Sequence, residues 1–449
     1  MNSYDSKICD FDDKSTVLSP NDALLLMLRL DPNRWEIRGC KVDLGDIPLF
    51  SDEDPDRPVV ETTTDDIVYL DRGNLDIEVS LKHGLRHVCG CGRPYDIHKW
   101  VSNRYNSTPV MGMRTTVTIC VPQVHCPVCG TYPKIPCPLV VRNCTYTKLL
   151  KLEDINVLTE QNIKSTSRTC KVGRSVTENI LEDTVEEGLR TQDLSYVHTL
   201  FIDEIQSTHG QNYITMAACQ DHKALCGVIG HDIESIRQIR DHIASKGCDP
   251  MSIRYVSVDM SVAYKSGVAE CFPNAKLIID HFHLIKMVND ALDKTRKRTV
   301  RELNRVNAEC PKGVKYTVLY RERNQNEKHK ALMVEIRLHN KELALAFDLK
   351  EEFCEIFDSK DRHEARSKAF SWYNRCRGSH IEEMMDVARR FIKRLNDVLR
   401  YFDHRISNAV SEGLNNVYKK IKSAAYGYRK EENLINMCLF RKGNLRISI

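Results

Sequence analysis

The sequence predicts an α/β protein in which a mixed sheet with packed helices is followed by a long helical stretch. Between residues 196 and 285, short β-branched and aromatic runs alternate with helical ones. From residue 286 to about 400 the pattern is helical, charged and amphipathic, with no run of comparable strand character. Ahead of both, short alternating runs are interleaved with cysteine, glycine and proline. A length of 449 residues also predicts more than one structural unit.

The balance of charge does not identify a partner by itself. The chain carries 66 lysines and arginines against 62 aspartates and glutamates, which gives a formal net charge of +4. Such a balance argues neither for nor against a nucleic-acid partner. The distribution is more informative, because acids crowd residues 51–56 while bases crowd Lys294–Arg305 and Arg389–Arg405. This asymmetry leaves room for a basic face.

The cysteine content indicates a reducing compartment. Eighteen cysteines could form a disulfide scaffold, but such scaffolds are typical of short secreted chains. The sequence shows neither a signal-peptide pattern nor an apolar run of membrane-spanning length. We therefore expect a cytoplasmic protein with reduced thiols and no membrane partner.

Shifts in composition divide the chain into six predicted segments. They are an acidic N-terminal extension (1–74) with a short capped helix at Asn21–Leu28, a β-rich cysteine module (75–144), a pair of helices (145–195), the first part of the sheet domain (196–285), a helical segment (286–400), and a C-terminal helix with a tail (401–449). The extension shows no recognisable chemistry.

Two close cysteine pairs lie in the β-rich module. Cys89 and Cys91 are separated by one residue, and a glycine able to form a tight turn follows them. Cys126 and Cys129 have the usual two-residue spacer and also precede a glycine. Two such pairs fit a tetrahedral four-sulfur zinc site, which would be structural because it leaves no open position for substrate. Four nearby side chains could replace one thiol: His98, Cys120, His125 and Cys137. The alternative is four buried thiols without a metal.

Residues 165–180 predict a helix, a turn that holds Gly173, and a second helix capped near Ser175. This pattern is typical of a helix-turn-helix, whose second helix contacts DNA. In that interpretation Val176 and Ile180 pack inward. Four side chains would reach a DNA groove or phosphates: Arg174, Ser175, Thr177 and Asn179. Many helical hairpins have this pattern without binding DNA, so the interpretation depends on the neighbouring modules.

Two aspartates follow strand-like runs in the sheet domain. Asp203 follows Thr199–Ile202. Asp259 follows Tyr255–Val258, so adjacent strands could place both carboxylates side by side. Glu204 would project to the opposite face of the sheet. In-line attack on a phosphodiester uses two divalent ions held by carboxylates, and oxygen ligands favour Mg²⁺ or Mn²⁺ over zinc. The alternative is that acids at strand ends are common in any acid-rich chain.

A third acid, Glu412, lies on a predicted helix near the end of the chain. At helical spacing, Asn415, Asn416, Lys419 and Lys420 fall on the same stripe. This combination suits a metal ligand flanked by phosphate contacts, with the two lysines as candidate contacts to DNA. The alternative is an ordinary solvated helix face.

Asp280 is the main rival acid, because it follows the apolar run Leu277–Ile279. His283, three residues later, could act as a base or as a structural hydrogen-bond donor. For both residues the alternative is the capped start of a helix.

Further motifs surround these acids in a fixed order. They are Ile202–Glu204 with Tyr213 and Asp221, Val258–Ser261 with Tyr264, Pro273–Ala275, Asp280–His283, and Ser411–Asn416 with Ile421, Lys422 and Ala425–Tyr428. The cysteine pairs and Arg142–Thr145 precede them. In this order the motifs resemble the bacterial insertion-sequence transposases of the ISL3 family, and the similarity covers residues 75 to 440.

The resemblance implies an RNase H-like catalytic domain, interrupted by a helical insertion, whose metal-binding triad is Asp203, Asp259 and Glu412. It implies a DDE-type enzyme that binds the terminal inverted repeats of an insertion sequence and catalyses DNA cleavage and strand transfer with two Mg²⁺ or Mn²⁺ ions. A transposase would also use the zinc module and the helix-turn-helix to hold double-stranded DNA. Synapsis of two ends makes a homodimer the expected assembly, and DNA as substrate places the protein at the nucleoid.

Two other functions are compatible with the sequence. A regulator derived from a transposase would keep the DNA-binding modules without the chemistry, although intact acids at all three positions argue against it. Another RNase H-like nuclease would use the same metals without specificity for terminal repeats. The transposase hypothesis sets a geometric condition: Glu412 must fold back beside Asp203 and Asp259.

Overall fold

The computed structural model describes residues 18–43, 73–141, 143–207, 213–258, 262–279, 281–305, 313–404 and 409–447. The chain divides into two compact units, residues 1–184 with 447–449, and residues 185–446. Each unit contains one of the two sheets that the described residues form. Both sheets are mixed, which confirms the predicted α/β class.

The first unit combines a four-stranded sheet with helices. Its elements are α1 (Pro20–Met27), β1 (Trp35–Asp43), β2 (Asn74–Leu81), β3 (Asp96–Val110), β4 (Met113–His125), α2 (Lys148–Leu158), α3 (Ile163–Thr169) and the first part of α4 (Arg174–Arg190). The strand order is β1-β2-β4-β3, with β2 and β4 parallel and the other pairs antiparallel. Alternate apolar residues of β2 and β4 face a core that α1 and Trp35 also fill.

The N-terminal segment contributes to this sheet, contrary to the boundary that the sequence predicts. The short capped helix is present as α1, with Ser19 at its N-cap. However, β1 pairs with β2 from Trp35 opposite Leu81 to Asp43 opposite Asn74, so the β-rich module begins before residue 75. Most residues of β1 are exposed and several are charged, as is common for edge strands, and the alternation of buried apolar residues that marks a strand is absent.

The second unit begins with a five-stranded sheet. Its elements are β5 (Thr199–Gln206), β6 (Tyr213–Cys219), β7 (Ala224–Ile229), α5 (Ile233–Ser245), β8 (Tyr255–Val258), α6 (Val262–Cys271) and β9 (Lys276–Ile279). The order is β7-β6-β5-β8-β9, in which β5, β8 and β9 are parallel and β6 is antiparallel to both its neighbours. The predicted succession of strands and helices between residues 199 and 279 is confirmed.

Seven helices follow, and they confirm the helical segment for the described residues between 286 and 400. They are α7 (His281–Arg305), α8 (Val314–Leu319), α9 (Glu327–His339), α10 (Lys341–Phe357), α11 (Arg362–Gly378), α12 (Glu382–Ile392) and α13 (Leu395–His404). Their core contains the aromatic cluster Phe353, Trp372 and Phe391. Helix α13 packs against β9, so the bundle adjoins the edge of the sheet.

Two C-terminal helices, α14 (Ala409–Ala424) and α15 (Glu431–Lys442), pack against β5 and β7. The other face of the sheet carries Leu200 and Ile202, which share a core with α5 and α6. Close approach of α15 depends on Gly227 in β7, because a Cβ there would lie 2.9 Å from a carbon of Ile435. The sheet is therefore covered on both faces. None of the helices in the described residues is long and apolar enough to span a membrane.

Candidate metal and nucleic-acid sites

Asp203 lies inside β5 rather than at its end. The sequence predicts that Asp203 comes at the end of the strand-like run Thr199–Ile202. Pairing with β6 continues nevertheless to Gln206, opposite Tyr213. The Asp203 side chain is half-buried, and its Oδ1 accepts a hydrogen bond of 2.7 Å from the backbone N–H of Glu204. Side chains alternate along a strand, so Glu204 shares its face with Ile202 and not with Asp203.

The other carboxylate oxygen of Asp203 is bound by a residue far along the chain. The Asn415 side-chain amide of α14 donates to Asp203 Oδ2 at 2.5 Å, across a separation of 212 residues. Further along the same helix, Lys422 Nζ donates to the carbonyl oxygens of Gln206 and Ser207 at 2.6 and 3.2 Å. Helix α14 therefore runs along β5 in the same direction as the strand.

Glu412 lies one turn before Asn415 on α14, and its side chain is exposed. Residues three apart are neighbours on a helix surface, so Glu412 is on the side of α14 that reaches β5 through Asn415. Lys419 and Lys420 are exposed one turn beyond Asn415. The sequence placed Asn415 on this stripe through its spacing from Glu412, but nothing in the sequence indicated its bond to Asp203.

Asp259 and Asp280 lie outside the described residues, as do Arg142, Met260 and Ser261 of the sequence motifs. The strands that precede the two aspartates are described: β8 ends at residue 258 and β9 at residue 279. Parallel pairing of β5 with β8 sets Phe201 opposite Ser257. His283 is half-buried in the first turn of α7, where it lines a groove of about 660 Å³ between α7 and α12.

The structure gathers the four cysteines of the two pairs. The sulfur atoms of Cys89, Cys91, Cys126 and Cys129 all lie within 4.8 Å of one another. The Cys89–Cys129 and Cys91–Cys126 sulfur distances are 3.8 and 3.6 Å. A tetrahedral zinc site with Zn–S bonds of about 2.3 Å has sulfur atoms about 3.8 Å apart. The cluster could therefore hold a zinc ion with little rearrangement.

Two tight turns present these thiols. Gly92 and Gly130 have φ values of 82° and 65°, in the left-handed region that favours glycine. Their N–H groups donate to the carbonyl oxygens of Cys89 and Cys126, at 2.8 Å in each case. A backbone N–H from Cys91 lowers the pKa of the Cys89 thiol to about 6. The one-residue spacer is thus accommodated within a turn whose backbone supports the thiolate form of the first cysteine.

The alternative zinc ligands are placed elsewhere. The rings of His98 and His125 both contact Tyr132, with centroids 5.1 and 4.5 Å apart. Cys120 is buried in the sheet as part of β4. Burial raises the pKa of the Cys137 thiol to about 11, which disfavours the thiolate that a metal requires. None of these four side chains belongs to the sulfur cluster.

The predicted helix, turn and helix correspond to α3, residues 170–173 and α4. The left-handed residue of the turn is Lys171, with φ 53°, and not Gly173. The Lys171 N–H donates to the Arg168 carbonyl, and the Val172 N–H to that of Ser167. This pair of bonds is a Schellman motif, which ends α3 and redirects the chain into α4.

One of the four candidate DNA contacts on α4 is internal. Thr177 is fully buried, and its hydroxyl donates to Asp154 of α2 at 2.8 Å. Thr177 is therefore a packing residue, and its inclusion among the DNA contacts was wrong. Ser175 and Asn179 are exposed, while Arg174 forms an ion pair with Glu178 at 2.8 Å. Thr177 and Asn179 are only two residues apart in the sequence, but residues at that spacing lie on different sides of a helix. Thr177 is on the core side of α4 and Asn179 on the exposed side.

The region that is similar to known proteins includes the five-stranded sheet, the helical bundle and the C-terminal helices. A family model described as a transposase matches residues 200–438, which is more than half of the chain and extends from β5 into α15. The chain belongs to the ISL3 family of insertion-sequence transposases. This confirms the resemblance that the sequence motifs indicated. Asp203, Glu412 and Asn415 all lie within the matched region.

Two curated relatives are similar to this transposase over much of its length. The transposase for insertion sequence element IS1001 from Bordetella parapertussis is 22% identical over 351 residues, covering 77% of this chain and 85% of that protein. The transposase for insertion sequence element IS1557 from Mycobacterium tuberculosis is 23% identical over 264 residues, covering 53% of this chain and 58% of that protein.

Proposed function

We propose that this transposase is a DDE-type enzyme that binds the terminal inverted repeats of an insertion sequence and cleaves and joins DNA strands there. Its metal-binding acids would be Asp203, Asp259 and Glu412. The observation that carries the proposal is the hydrogen bond between Asn415 and Asp203. It joins the strand of the first acid to the helix of the third, although more than two hundred residues separate them.

The sheet topology supports an RNase H-like arrangement. The order is β7-β6-β5-β8-β9, in which β6 runs opposite to the other four strands, and helices cover both faces. The central strand is β5, which carries Asp203. A family match that begins at residue 200 and extends past the helical bundle supports the reading of that bundle as an insertion.

Strand register supports Asp259 as the second acid. Asp203 and Asp259 each come two residues after the paired residues Phe201 and Ser257. Directly opposed residues of neighbouring strands project from the same face of a sheet. The face of β5 that holds Asp203 is the face that α14 covers. We infer that the carboxylates of both aspartates meet Glu412 there, with His283 and Asp280 as accessory groups.

The donor set suits magnesium or manganese. The proposed ligands are carboxylate oxygens, the preferred ligands of hard divalent cations. Two such ions, when bound, would activate the attacking oxygen and stabilise the leaving oxygen of a phosphodiester. Asn415 keeps Asp203 Oδ2 at the surface of α14, and Lys419 and Lys420 would contact the DNA backbone beyond it.

The first unit would supply DNA recognition. We propose that Cys89, Cys91, Cys126 and Cys129 hold a structural zinc ion, which the spacing of their sulfur atoms supports. Arg174, Ser175 and Asn179 remain the proposed DNA contacts of the helix-turn-helix. Because two transposon ends must be brought together, we propose a homodimer on double-stranded DNA, at the nucleoid.

A donor-plasmid assay with Mg²⁺ tests the catalytic assignment. Asp203→Asn and Glu412→Gln should each abolish strand cleavage while leaving DNA binding intact. Glu204→Gln is the matched control, because it removes the neighbouring charge from the opposite face of β5. Cleavage by the Asp203→Asn protein, or equal loss in the Glu204→Gln protein, would overturn the assignment.

The same assay separates the other two candidate functions. A catalytically inactive regulator would bind the ends without cleaving them, even as the unmodified protein. A general RNase H-like nuclease would cut without releasing a defined element. Release of a linear or circular element bounded by its inverted repeats is expected only of a transposase.

A further inference from the structure

Helix α11 has an unusual distribution of charge. Residues 365–381 include no aspartate or glutamate, in a chain that carries 62 acids. The side chains of Ala365, Ala369, Trp372 and Cys376 form the core side of the helix. The opposite side is exposed and consists of His363, Arg366, Ser367, Phe370, Ser371, Asn374 and Arg377. This set is called the α11 outer face below, and it carries positive charge without any acid.

Cations of α11 that lie off this face all have acidic partners. Arg362 pairs with Asp403, and Arg375 pairs with Glu352. Lys368 forms an ion pair of 2.8 Å with Glu364. These cations are neutralised within the fold. They contribute to the charge of the helix but leave little attraction for an external anion.

The two arginines of the α11 outer face are held differently. The Arg366 guanidinium lies over the Phe370 ring, 5.7 Å from its centroid. The Arg377 guanidinium lies 6.0 Å from the centroid of Tyr373. Within the described part of the chain, neither arginine has a carboxylate at ion-pair distance. A ring contact restricts the guanidinium while leaving its N–H donors available, which reduces the entropy cost of binding an anion.

The spacing of the two arginines fits an extended polyanion. Arg366 and Arg377 are eleven residues apart, which is about 16 Å along a helix axis. That length corresponds to the axial rise of about five base pairs of duplex DNA. Ser367, Ser371 and Asn374 lie between them and offer hydrogen-bond donors of the kind that contact phosphate oxygens.

We propose that the α11 outer face binds the phosphate backbone of DNA, with Arg366 and Arg377 as the principal phosphate contacts. The choice of DNA as the partner rests on the proposed function as a DNA transposase. The proposal adds a DNA-contacting surface on the helical bundle. Helix α11 packs against α13, which in turn packs against the edge strand β9. DNA on this face would therefore be separated from the sheet that carries Asp203 by two helices, α11 and α13.

Binding to a mixed-sequence duplex oligonucleotide, measured over a range of salt concentrations, tests the proposal. The Arg366→Gln/Arg377→Gln protein should lose two phosphate contacts. The slope of log affinity against log salt should then become shallower by about 1.8, or about 0.9 per contact. The matched control is Arg362→Gln/Lys368→Gln, which removes the same charge from the same helix at positions with acidic partners. The control should keep the slope of the unmodified protein.

A substitution without a charge change tests the role of the ring. Phe370→Leu removes the support of Arg366 and should weaken binding about two- to fivefold, with the slope nearly unchanged. Thermal denaturation of every variant verifies that the bundle is folded.

Equal slopes for the two double variants would overturn the proposal, since the effect would then reflect net charge alone. The proposal would also be overturned if Arg366→Gln/Arg377→Gln changed self-association without changing DNA affinity. The α11 outer face would then bind a second copy of this chain. If the unmodified protein bound no DNA, the proposed function would fail first. If it bound and cleaved DNA while the α11 variants behaved normally, only the present inference would fail.

Discussion

The cysteine cluster and the carboxylate site assemble metal-binding atoms by different routes. All four thiols come from two short turns of one small sheet unit, and their sulfur atoms lie within 4.8 Å of one another. Asp203 and Glu412 come from a strand and a helix that are in contact in the fold but separated in the sequence by the whole helical bundle. A cluster formed by local turns stabilises its own neighbourhood when a metal binds. A site formed by distant segments requires the fold to be in place before its ligands meet. A metal bound at such a site is then available for chemistry.

The largest expected effect would come from breaking the sulfur cluster. Cys126 is fully buried, and Cys126→Ser should cost several kcal/mol of stability in the first unit, because structural zinc contributes about 10 kcal/mol or more to folding in small zinc domains. Zinc content and limited proteolysis of residues 73–141 would measure this. Cys40→Ser, at an exposed thiol of β1, is the control. Full zinc content in the Cys126→Ser protein would show that Cys126 is not a zinc ligand. The contrast between the sulfur cluster and the carboxylate site would then not hold.

The second effect concerns the bond that joins the two halves of the carboxylate site. Asn415→Ala leaves Asp203 without its amide donor and should lower cleavage about 10- to 100-fold, as loss of groups that orient metal ligands commonly does. A titration of cleavage against Mg²⁺ should show a higher midpoint concentration, while thermal stability changes little. Asn416→Ala, at the next residue, should leave that midpoint unchanged. Reduced cleavage with an unaltered Mg²⁺ midpoint would show that Asn415 does not act through Asp203.

Asp154, a buried acid with no cation at ion-pair distance among the described residues, provides the third test. Burial raises the pKa of Asp154 from 3.8 to about 6, although its bond to Thr177 opposes the shift. The folded state then binds a proton more tightly than the unfolded state, so stability falls as pH rises from about 4 to 6, and the full cost persists above pH 6. Asp154→Asn should therefore stabilise the first unit by about 3 kcal/mol at pH 7 and flatten this pH dependence. Thermal denaturation across this pH range measures both changes. Destabilisation at pH 7 would mean that the carboxylate itself is required.

The smallest effect is expected at Gly413, next to Glu412 in α14. A Cβ at Gly413 would meet nothing within 4 Å in the part of the chain that the structure describes, so no contact there requires glycine. Gly413→Ala should raise stability by about 0.5–1 kcal/mol through helix propensity, measurable by thermal denaturation. If cleavage falls in this more stable protein, the DNA approaches the helix backbone closely at this position. Unchanged cleavage would place the DNA away from residue 413.

The sequence predicted local structure well and long-range contacts poorly. The strands from β5 to β9 follow from alternating and β-branched runs, and the two turns of the cysteine pairs follow from Gly92 and Gly130. The edge strand β1 was missed because its exposed residues show no alternation. The bond from Asn415 to Asp203 could not be found from periodicity, since it depends on how α14 settles against the sheet. Thr177 was wrongly assigned as a DNA contact because a shift of two residues along a helix moves a side chain from the solvent side to the core side.

The pairing of β1 with β2 also makes the first sheet suitable for protein engineering. Asp43 and Asn74 are paired neighbours at the end of this antiparallel ladder, so the chain that leaves β1 returns to the same place. Paired residues of antiparallel strands can be joined by a two-residue turn, without disturbing their register. A fluorescent reporter or an affinity tag inserted between Asp43 and Gly73 would therefore enter and leave the sheet at one point, with the ladder still closed.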